Sequence, residues 1–539
     1  MYRLHALSLL AFTGALSVAV EGAVTNTCTA AAIPYPQLFG ADIISLSAST
    51  VTNLSASLIQ TDSHFPLNIT GLNFCNVTVQ YTHPGQNDSI NVQLWLPLEG
   101  WNGRFMGTGG AGYATEIGFQ SLTYAVSMGY SAVATDGGHV SGEYDDPSSW
   151  ALISPGNVNW ALLQDFAAVA LDDAATIGKS VTTAYYGSPP EYSYWNGCST
   201  GGRQGLMMAQ RYPSQYDGIL AGAPAIQWPS VVVGLYWPQL VMKQLGVYPP
   251  QCELEAIREA ATAACDKLDG VADGIIAAPG LCAFDPRAVV GQAFTCPGSG
   301  TNGTISPEAA TVALAAWTGA RTTDGRFLGY GLNKDASFVG VANTSCSSPA
   351  NCTGQPFLIS SSWITYFVQK DPTFDLTQMS YRQYDSIFRQ SNNQYASIIG
   401  TNDPDLTDFR EAGGKMITWH GLADELIFPN GTYDYYQRVL DLDPNAADYY
   451  RFFPAPGVGH CAGRAGYFPD NVLQSLVDWV ENDIVPETLS GTTLPDTNGT
   501  VRRAPLCPYP LVAAYNGGDI NVASSFECQT SFGVTKSTE

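Results

Sequence analysis

The sequence predicts an α/β fold: a discontinuous domain on a mostly parallel sheet, interrupted by a large inserted cap. Three observations predict it. Short apolar runs end in Gly or Asp with helical text between them, as in βα units whose strands are buried on both faces. From about Pro224 to Leu406 the chain changes character, with many Gly, Ser and Thr residues and six cysteines. The βα pattern then resumes at Lys415-Met416-Ile417-Thr418-Trp419-His420-Gly421. The boundaries follow as 23–223 with 407–539 for the split domain and 224–406 for the cap, a size usual for a domain.

Taken in order, Cys75-Asn76-Val77-Thr78-Val79 and Ile90 to Pro97 alternate as strands with one polar face, separated by a Pro-Gly-Gln-Asn turn. Arg104 to Thr108 leads into the glycine-rich Gly109-Gly110-Ala111-Gly112. Tyr130 to Asp136 is a second buried run, and Trp160 to Ile177 is helical text. The stretch from Tyr192 is aromatic and β-prone, and Gly205 to Arg211 reads as a helix. In the cap, Cys252 to Cys265 is helical. Tyr450-Arg451-Phe452-Phe453 is a late strand.

The 539 residues carry 23 Lys and Arg against 47 Asp and Glu, a net charge of −24. Phosphate binding draws on clustered Lys and Arg, so nucleic acid is excluded as a partner, and an anionic membrane surface is disfavoured. With 45% hydrophobic and 13% charged residues the composition is globular. Residues 1–22, with Arg3, an apolar run and small residues near Gly22, read as a secretory signal peptide, too short to span a bilayer. Twelve cysteines behind such a segment imply disulfides; Cys28, Cys75, Cys507 and Cys528 are expected among them, while Cys252, Cys296, Cys346 and Cys352 stay unassigned. Sequons stand at Asn53, Asn68, Asn76, Asn87, Asn302, Asn343, Asn351, Asn430 and Asn498, as in a secreted, extracellular glycoprotein.

Gly197-Cys198-Ser199-Thr200-Gly201 fits G-x-S-x-G. Glycines flank the serine because a nucleophile on a tight strand-to-helix turn leaves no room for neighbouring side chains, and here a strand-like stretch precedes it and helix text follows. Serine needs a base, and the base an orienting acid. In the α/β-hydrolase order Ser, Asp or Glu, then His, the base is late, leaving His420 and His460. His460 follows a strand in a glycine-rich loop; His420 reads as a structural residue near Asp424, which follows the buried strand ending at Gly421. Cys198 precedes Ser199 and Cys461 follows His460, so a disulfide between them would tie the two loops that set the Ser–His distance.

On Cys198-Ser199, Asp424 and His460-Cys461, the chain resembles the tannase and feruloyl esterase family, marked by a Cys-Ser, Asp, His-Cys arrangement with the neighbouring cysteines bonded. The resemblance runs through nearly the whole mature chain, including Gly197 to Gly205, Tyr216-Asp217-Gly218 and Val477 to Asn482. It implies an α/β-hydrolase fold with a cap (lid) and a catalytic set of Ser199, Asp424 and His460. Backbone donors for the oxyanion are expected at Thr200 and in the 109–112 turn, at Gly110.

Cys265-Asp266-Lys267-Leu268-Asp269-Gly270-Val271-Ala272-Asp273-Gly274-Ile275 gathers three carboxylates on turn-prone backbone. Hard oxygen ligands suit Ca²⁺, although a solvated acidic loop fits the same text. The resemblance implies a structural Ca²⁺ held by Asp266, Asp269, Asp273 and the carbonyls of Val271 and Ile275, with Cys265 and Cys282 paired beside it; no organic cofactor is implied.

The implied substrates are phenolic-acid esters on plant polysaccharide or tannin. Such planar acyl groups need a flat apolar slot, for which Trp228, Tyr236, Trp237 and Trp363 are candidates. Tyr248 to Leu254 and Cys75 to His83 look tannase-like, while the cap lacks the long basic insertion of some tannases. The reading adopted is a feruloyl (hydroxycinnamoyl) esterase, with tannase as the alternative, and a catalytically inactive binding glycoprotein or a serine peptidase as rivals from other classes.

Overall fold

The structure, a computed structural model, describes residues 27–532 apart from 140–143, 298–299, 301, 349–350 and 464; the signal-peptide segment lies outside them. A nine-stranded sheet organises the chain. Its strands are β1 (Asp42–Leu58), β2 (Leu67–Thr82), β3 (Ile90–Pro97), β4 (Arg104–Thr108), β5 (Ser131–Thr135), β6 (Tyr192–Cys198), β7 (Gly218–Gly222), β8 (Lys415–Gly421) and β9 (Tyr450–Ala455). They lie in the order β1-β2-β3-β5-β4-β6-β7-β8-β9. From β5 to β9 every pairing is parallel, whereas β1, β2 and β3 join antiparallel. The parallel strands are buried along nearly their whole length, since helices cover both faces. Helices α1 (Phe119–Ser127) and α2 (Ala170–Tyr186) precede β6, and α3 (Thr200–Arg211) follows it directly.

Two apolar layers flank the sheet. One holds Phe105, Leu171, Ile177, Leu206 and Phe452; the other holds Leu122, Tyr194, Trp419, Leu476 and Trp479. Strand β1 was not anticipated from the sequence. It is an edge strand with only Leu46 and Leu58 buried, so it lacks the apolar alternation that betrays its partners.

Adjacent strands β7 and β8 are separated in sequence by residues 223–414. That stretch includes α4 (Trp228–Gly234), α5 (Gln251–Cys265) and α6 (Tyr381–Ile399), and its apolar cluster around Trp363, Phe367 and Tyr384 is continuous with Tyr113, Trp150 and Phe166 from before it. A long excursion between neighbouring parallel strands disturbs no ladder, because both ends emerge at the sheet's margin. After it come β8, α7 (Pro429–Leu442), β9 and α8 (Val472–Asn482).

All twelve cysteines are paired: Cys28–Cys75, Cys198–Cys461, Cys252–Cys296, Cys265–Cys282, Cys346–Cys352 and Cys507–Cys528. Two of these joins assign the four cysteines that the sequence left open. Sequon residues Asn53, Asn68, Asn87, Asn302, Asn351 and Asn498 are exposed, and Asn76, Asn343 and Asn430 are partly so. Among the described residues no helix is long and apolar enough to cross a membrane.

Candidate active site

Ser199 sits between the end of β6 and the start of α3 with φ +62° and ψ −120°. Such a left-handed non-glycine backbone persists only where the surroundings over-determine it. The Ser199 N–H donates to the Gly222 carbonyl at 3.0 Å, and the Ser199 carbonyl accepts from Arg203 and Ala225. A Cβ at Gly197 would lie 2.7 Å from the backbone of Gly201, which is why glycines frame the turn.

His460 and Asp424 arrive from the loops after β9 and β8. Nε2 of His460 is 2.8 Å from Ser199 Oγ, and its Nδ1 is 2.8 Å from Asp424 Oδ2. Asp424 is fully buried, and its Oδ1 accepts the N–H groups of Leu426 and Ile427 at 2.8 Å each. Although burial alone would raise its pKa, the two histidines beside it hold the carboxyl well below the usual range. For His460, burial pulls the pKa down and the Asp424 carboxylate pushes it up, with a net rise. His420 is the second of those histidines: wholly buried, it places Nε2 3.2 Å from Asp424 Oδ2 and Nδ1 2.8 Å from Thr432 Oγ1. It supports the acid from behind and does not reach Ser199. The Cys198–Cys461 disulfide ties the serine turn to the histidine loop.

These groups open into a cleft of about 280 Å³, walled by Val232, Leu235, Phe357, Ile359, Leu426 and Ile427. Of the four proposed slot aromatics, Trp228 lines it. The other three are a correction, since they pack in the cap core: Trp363 is fully buried with Nε1 donating to Ser391, Trp237 packs against Tyr381 and Tyr384, and the Tyr236 hydroxyl reaches the Leu376 carbonyl. Large aromatics are the preferred core fillers, and nothing in the sequence separates the one that faces the cleft.

Thr200 opens α3 beside the cleft, its Oγ1 donating to the Gly112 carbonyl at 2.7 Å. Gly110 is a second correction. Its N–H is committed to Oε1 of Gln204 at 2.9 Å, and it does not line the cleft, whereas Ala111 and Gly112 do. Gln204 acts one helical turn after Ser199, clamping the loop from a residue that no turn motif contains. Two carboxyls near His460 also escaped the sequence reading: Glu425, whose Oε2 accepts the His460 N–H at 3.1 Å, and Asp62, which lines the cleft. The acid after Asp424 was visible as a pair; Asp62 carried no signal.

In the acidic loop, Asp269, Val271, Asp273 and Ile275 line one small cavity of about 30 Å³, next to Tyr467 and Leu506. That is room for about one ion or water. Burial, with Asp273 and Asp266 nearby, pushes the Asp269 acid up to about 7, so this carboxylate lacks a sufficient counter-charge. Asp266 Oδ1 accepts the N–H groups of Asp273 and Gly274, and Arg502 stands 3.5 Å from Asp273 Oδ2. Asp269 is buried and Asp273 partly so around this ion-sized space, an oxygen-rich setting that suits a hard divalent cation, while Asp266 does not line it.

A profile of the tannase and feruloyl esterase family matches residues 75–529. The chain is 41% identical over 535 residues to a probable feruloyl esterase of Arthroderma benhamiae, covering 98% of each chain. Its fold superposes on the tannin acyl hydrolase of Aspergillus niger with TM-score 0.83 and 32% identity, covering 93% of this chain and 95% of that one. It also superposes on feruloyl esterase B of Aspergillus oryzae, with TM-score 0.75, 26% identity and coverage of 92% and 97%. With a split α/β sheet, a serine turn held to a histidine loop and relatives matched over nearly their whole length, the chain belongs to the tannase and feruloyl esterase family of carboxylic ester hydrolases.

Proposed function

We propose that the protein is a secreted serine esterase that hydrolyses phenolic-acid esters, with Ser199, His460 and Asp424 as its catalytic residues and hydroxycinnamoyl esters of plant cell-wall polysaccharide as its substrates. The observation that carries the reading is the unbroken Ser199–His460–Asp424 hydrogen-bond chain at the wall of an apolar cleft. His460 takes the Ser199 proton as Oγ attacks the ester carbonyl, and then delivers it to the departing alcohol. Water activated by the same imidazole releases the acid. Asp424 keeps Nδ1 protonated and stabilises the imidazolium. The oxyanion is held by the N–H groups of Thr200 and Gly112, since those of Gly110 and Ala111 are taken by Gln204 Oε1 and the Ala114 carbonyl.

The acyl choice rests on the walls of the cleft. A galloyl ring brings three hydroxyls, each costly to bury without a partner; the apolar wall of Val232, Leu235, Phe357, Ile359, Leu426 and Ile427 offers none, and Tyr144 and Asp145 are polar side chains on the lining away from Ser199 and Asp62. A feruloyl group, with one hydroxyl, suits that surface better, and the probable feruloyl esterase at 41% identity supports it. The superposition on a tannin acyl hydrolase favours galloyl esters as the second reading. Methyl ferulate should be hydrolysed with kcat/KM at least about tenfold above methyl gallate, the scale of one unpaired buried polar group. A preference for gallate would overturn the hydroxycinnamoyl choice and leave the serine chemistry standing.

Ca²⁺ would be held by Asp266, Asp269 and Asp273 with the Val271 and Ile275 carbonyls, and when bound it supplies charge neutralisation rather than chemistry. Chelation should lower the thermal midpoint, and re-addition of Ca²⁺ in excess should restore it, by about 3 kcal/mol at a hundred times the dissociation constant. The isosteric Asp269→Asn should abolish that response. A midpoint indifferent to both chelator and Ca²⁺ would remove the metal from the account. The paired cysteines and the accessible sequons support secretion; a leader cleaved near Gly22 and glycan at the sequons are the expected findings by mass spectrometry of the purified protein.

A further inference from the structure

Asp62 is a carboxyl that the serine chemistry does not use. It lies in the turn joining β1 to β2 with φ +48°, a backbone state that a non-glycine residue keeps only under constraint. The constraint is visible: Trp419 Nε1 donates to the Asp62 carbonyl at 3.1 Å, Asn196 Nδ2 donates to Ser63 Oγ at 3.1 Å, and Thr61 bridges to His64. The residue is only 4% exposed, yet it lines the cleft that contains Ser199. One carboxyl oxygen lies within 4.8 Å of both sulfurs of the Cys198–Cys461 disulfide, and Thr61 Oγ1 donates to Oδ1 at 2.8 Å. Burial pushes its acid up to about 6 against the pull of Thr61 and His460. A buried carboxylate whose nearest basic group is a histidine is costly, and the isosteric amide would fill the turn at less cost.

Its place relative to the reacting atoms follows from the proton path. His460 hands its proton to the leaving oxygen, so the alcohol half of the ester departs on the His460 side, while the apolar wall of Val232 and Leu235 suits the acyl half. Asp62 borders His460, hence the alcohol half. We propose that Asp62 is the specificity-determining residue for the alcohol: its Oδ2 accepts a hydrogen bond from a hydroxyl beside the ester oxygen, so the enzyme selects esters of sugars and other polyols over simple alkyl esters. A hydroxyl donating to a carboxylate is among the stronger neutral-to-charged contacts, and it is strengthened in a dry cleft. The inference rests on the serine-esterase reading of the site.

The test compares esters of one acid. Wild-type enzyme is expected to hydrolyse 2-hydroxyethyl ferulate with kcat/KM about tenfold above propyl ferulate, which matches it in length but lacks the hydroxyl. In Asp62→Asn that ratio should fall towards one, with Ser199 still labelled by a fluorophosphonate probe that carries no polyol. If both esters lose rate together and the ratio holds, Asp62 acts only on His460 and the inference is wrong. No preference in the wild-type enzyme overturns it even where the variant fails to fold. If wild-type enzyme turns over neither ester, it is the esterase reading that fails.

Discussion

Ser199→Ala should reduce ester turnover by about 10⁶ in kcat, to the level left by binding and the oxyanion donors, while the fold is retained. The size follows from the arrangement. Among the described residues, the only side-chain hydrogen bond of Ser199 is the 2.8 Å contact to His460, so removing Oγ deletes the proposed nucleophile and no other side-chain contact of that kind. The turn keeps its strain, because alanine at φ +62° meets the same backbone penalty as serine. Thermal unfolding of the variant should therefore stay within about 1 kcal/mol of wild type. Steady-state kinetics on methyl ferulate together with a melting curve settle both halves. A variant that hydrolyses at the wild-type rate would sink the mechanism, and one that is inactive only because it is unfolded would leave Ser199 without its assigned role.

The second large effect is expected at Asp424→Asn, a fall of about 10⁴ in kcat. Asparagine keeps the volume, and its carbonyl can keep the Leu426 and Ile427 N–H groups that Oδ1 now accepts. Its amide then faces Nδ1 of His460 as a donor, which turns the imidazole to the tautomer with the proton on Nε2, towards Ser199, where it cannot act as base. The pH profile carries a separate signature. Asp424 raises the His460 pKa, and the base must be neutral to work. Removing the carboxylate lowers that pKa, so the acidic limb of residual kcat/KM should move to lower pH. An unmoved limb would show that no histidine in contact with Asp424 acts as the base.

Most strands of the central sheet and the three residues of the proposed triad were legible from local pattern. Strand β3 falls on the alternating run Ile90–Pro97, and β8 on Lys415–Gly421, because buried strands must be apolar in a pattern of period two or in unbroken runs. Ser199 announced itself through the glycines its turn requires, and His460 through its place late in the order and beside Cys461. Strand β1 was invisible, since solvent on its exposed edge relaxes the demand for apolar residues. The Gly110 donor was misplaced because a side chain from another element, Gln204, occupies its N–H. The slot aromatics could not be sorted, because composition does not reveal which face of a helix meets a cavity.

By itself, then, the sequence determined the α/β architecture, the serine turn, the late Asp424 and His460 of the proposed triad, and the acidic loop, all of which depend on local rules of backbone geometry and burial acting within a few residues. Only the tertiary structure decided that Ala111–Gly112 rather than Gly110 borders the cleft, and that Asp62, 137 positions before Ser199 in the chain, lines the same cleft as the histidine. Those outcomes depend on which atoms compete for one donor or one cavity. That competition is set by the packing of segments far apart in sequence, and no local pattern records it.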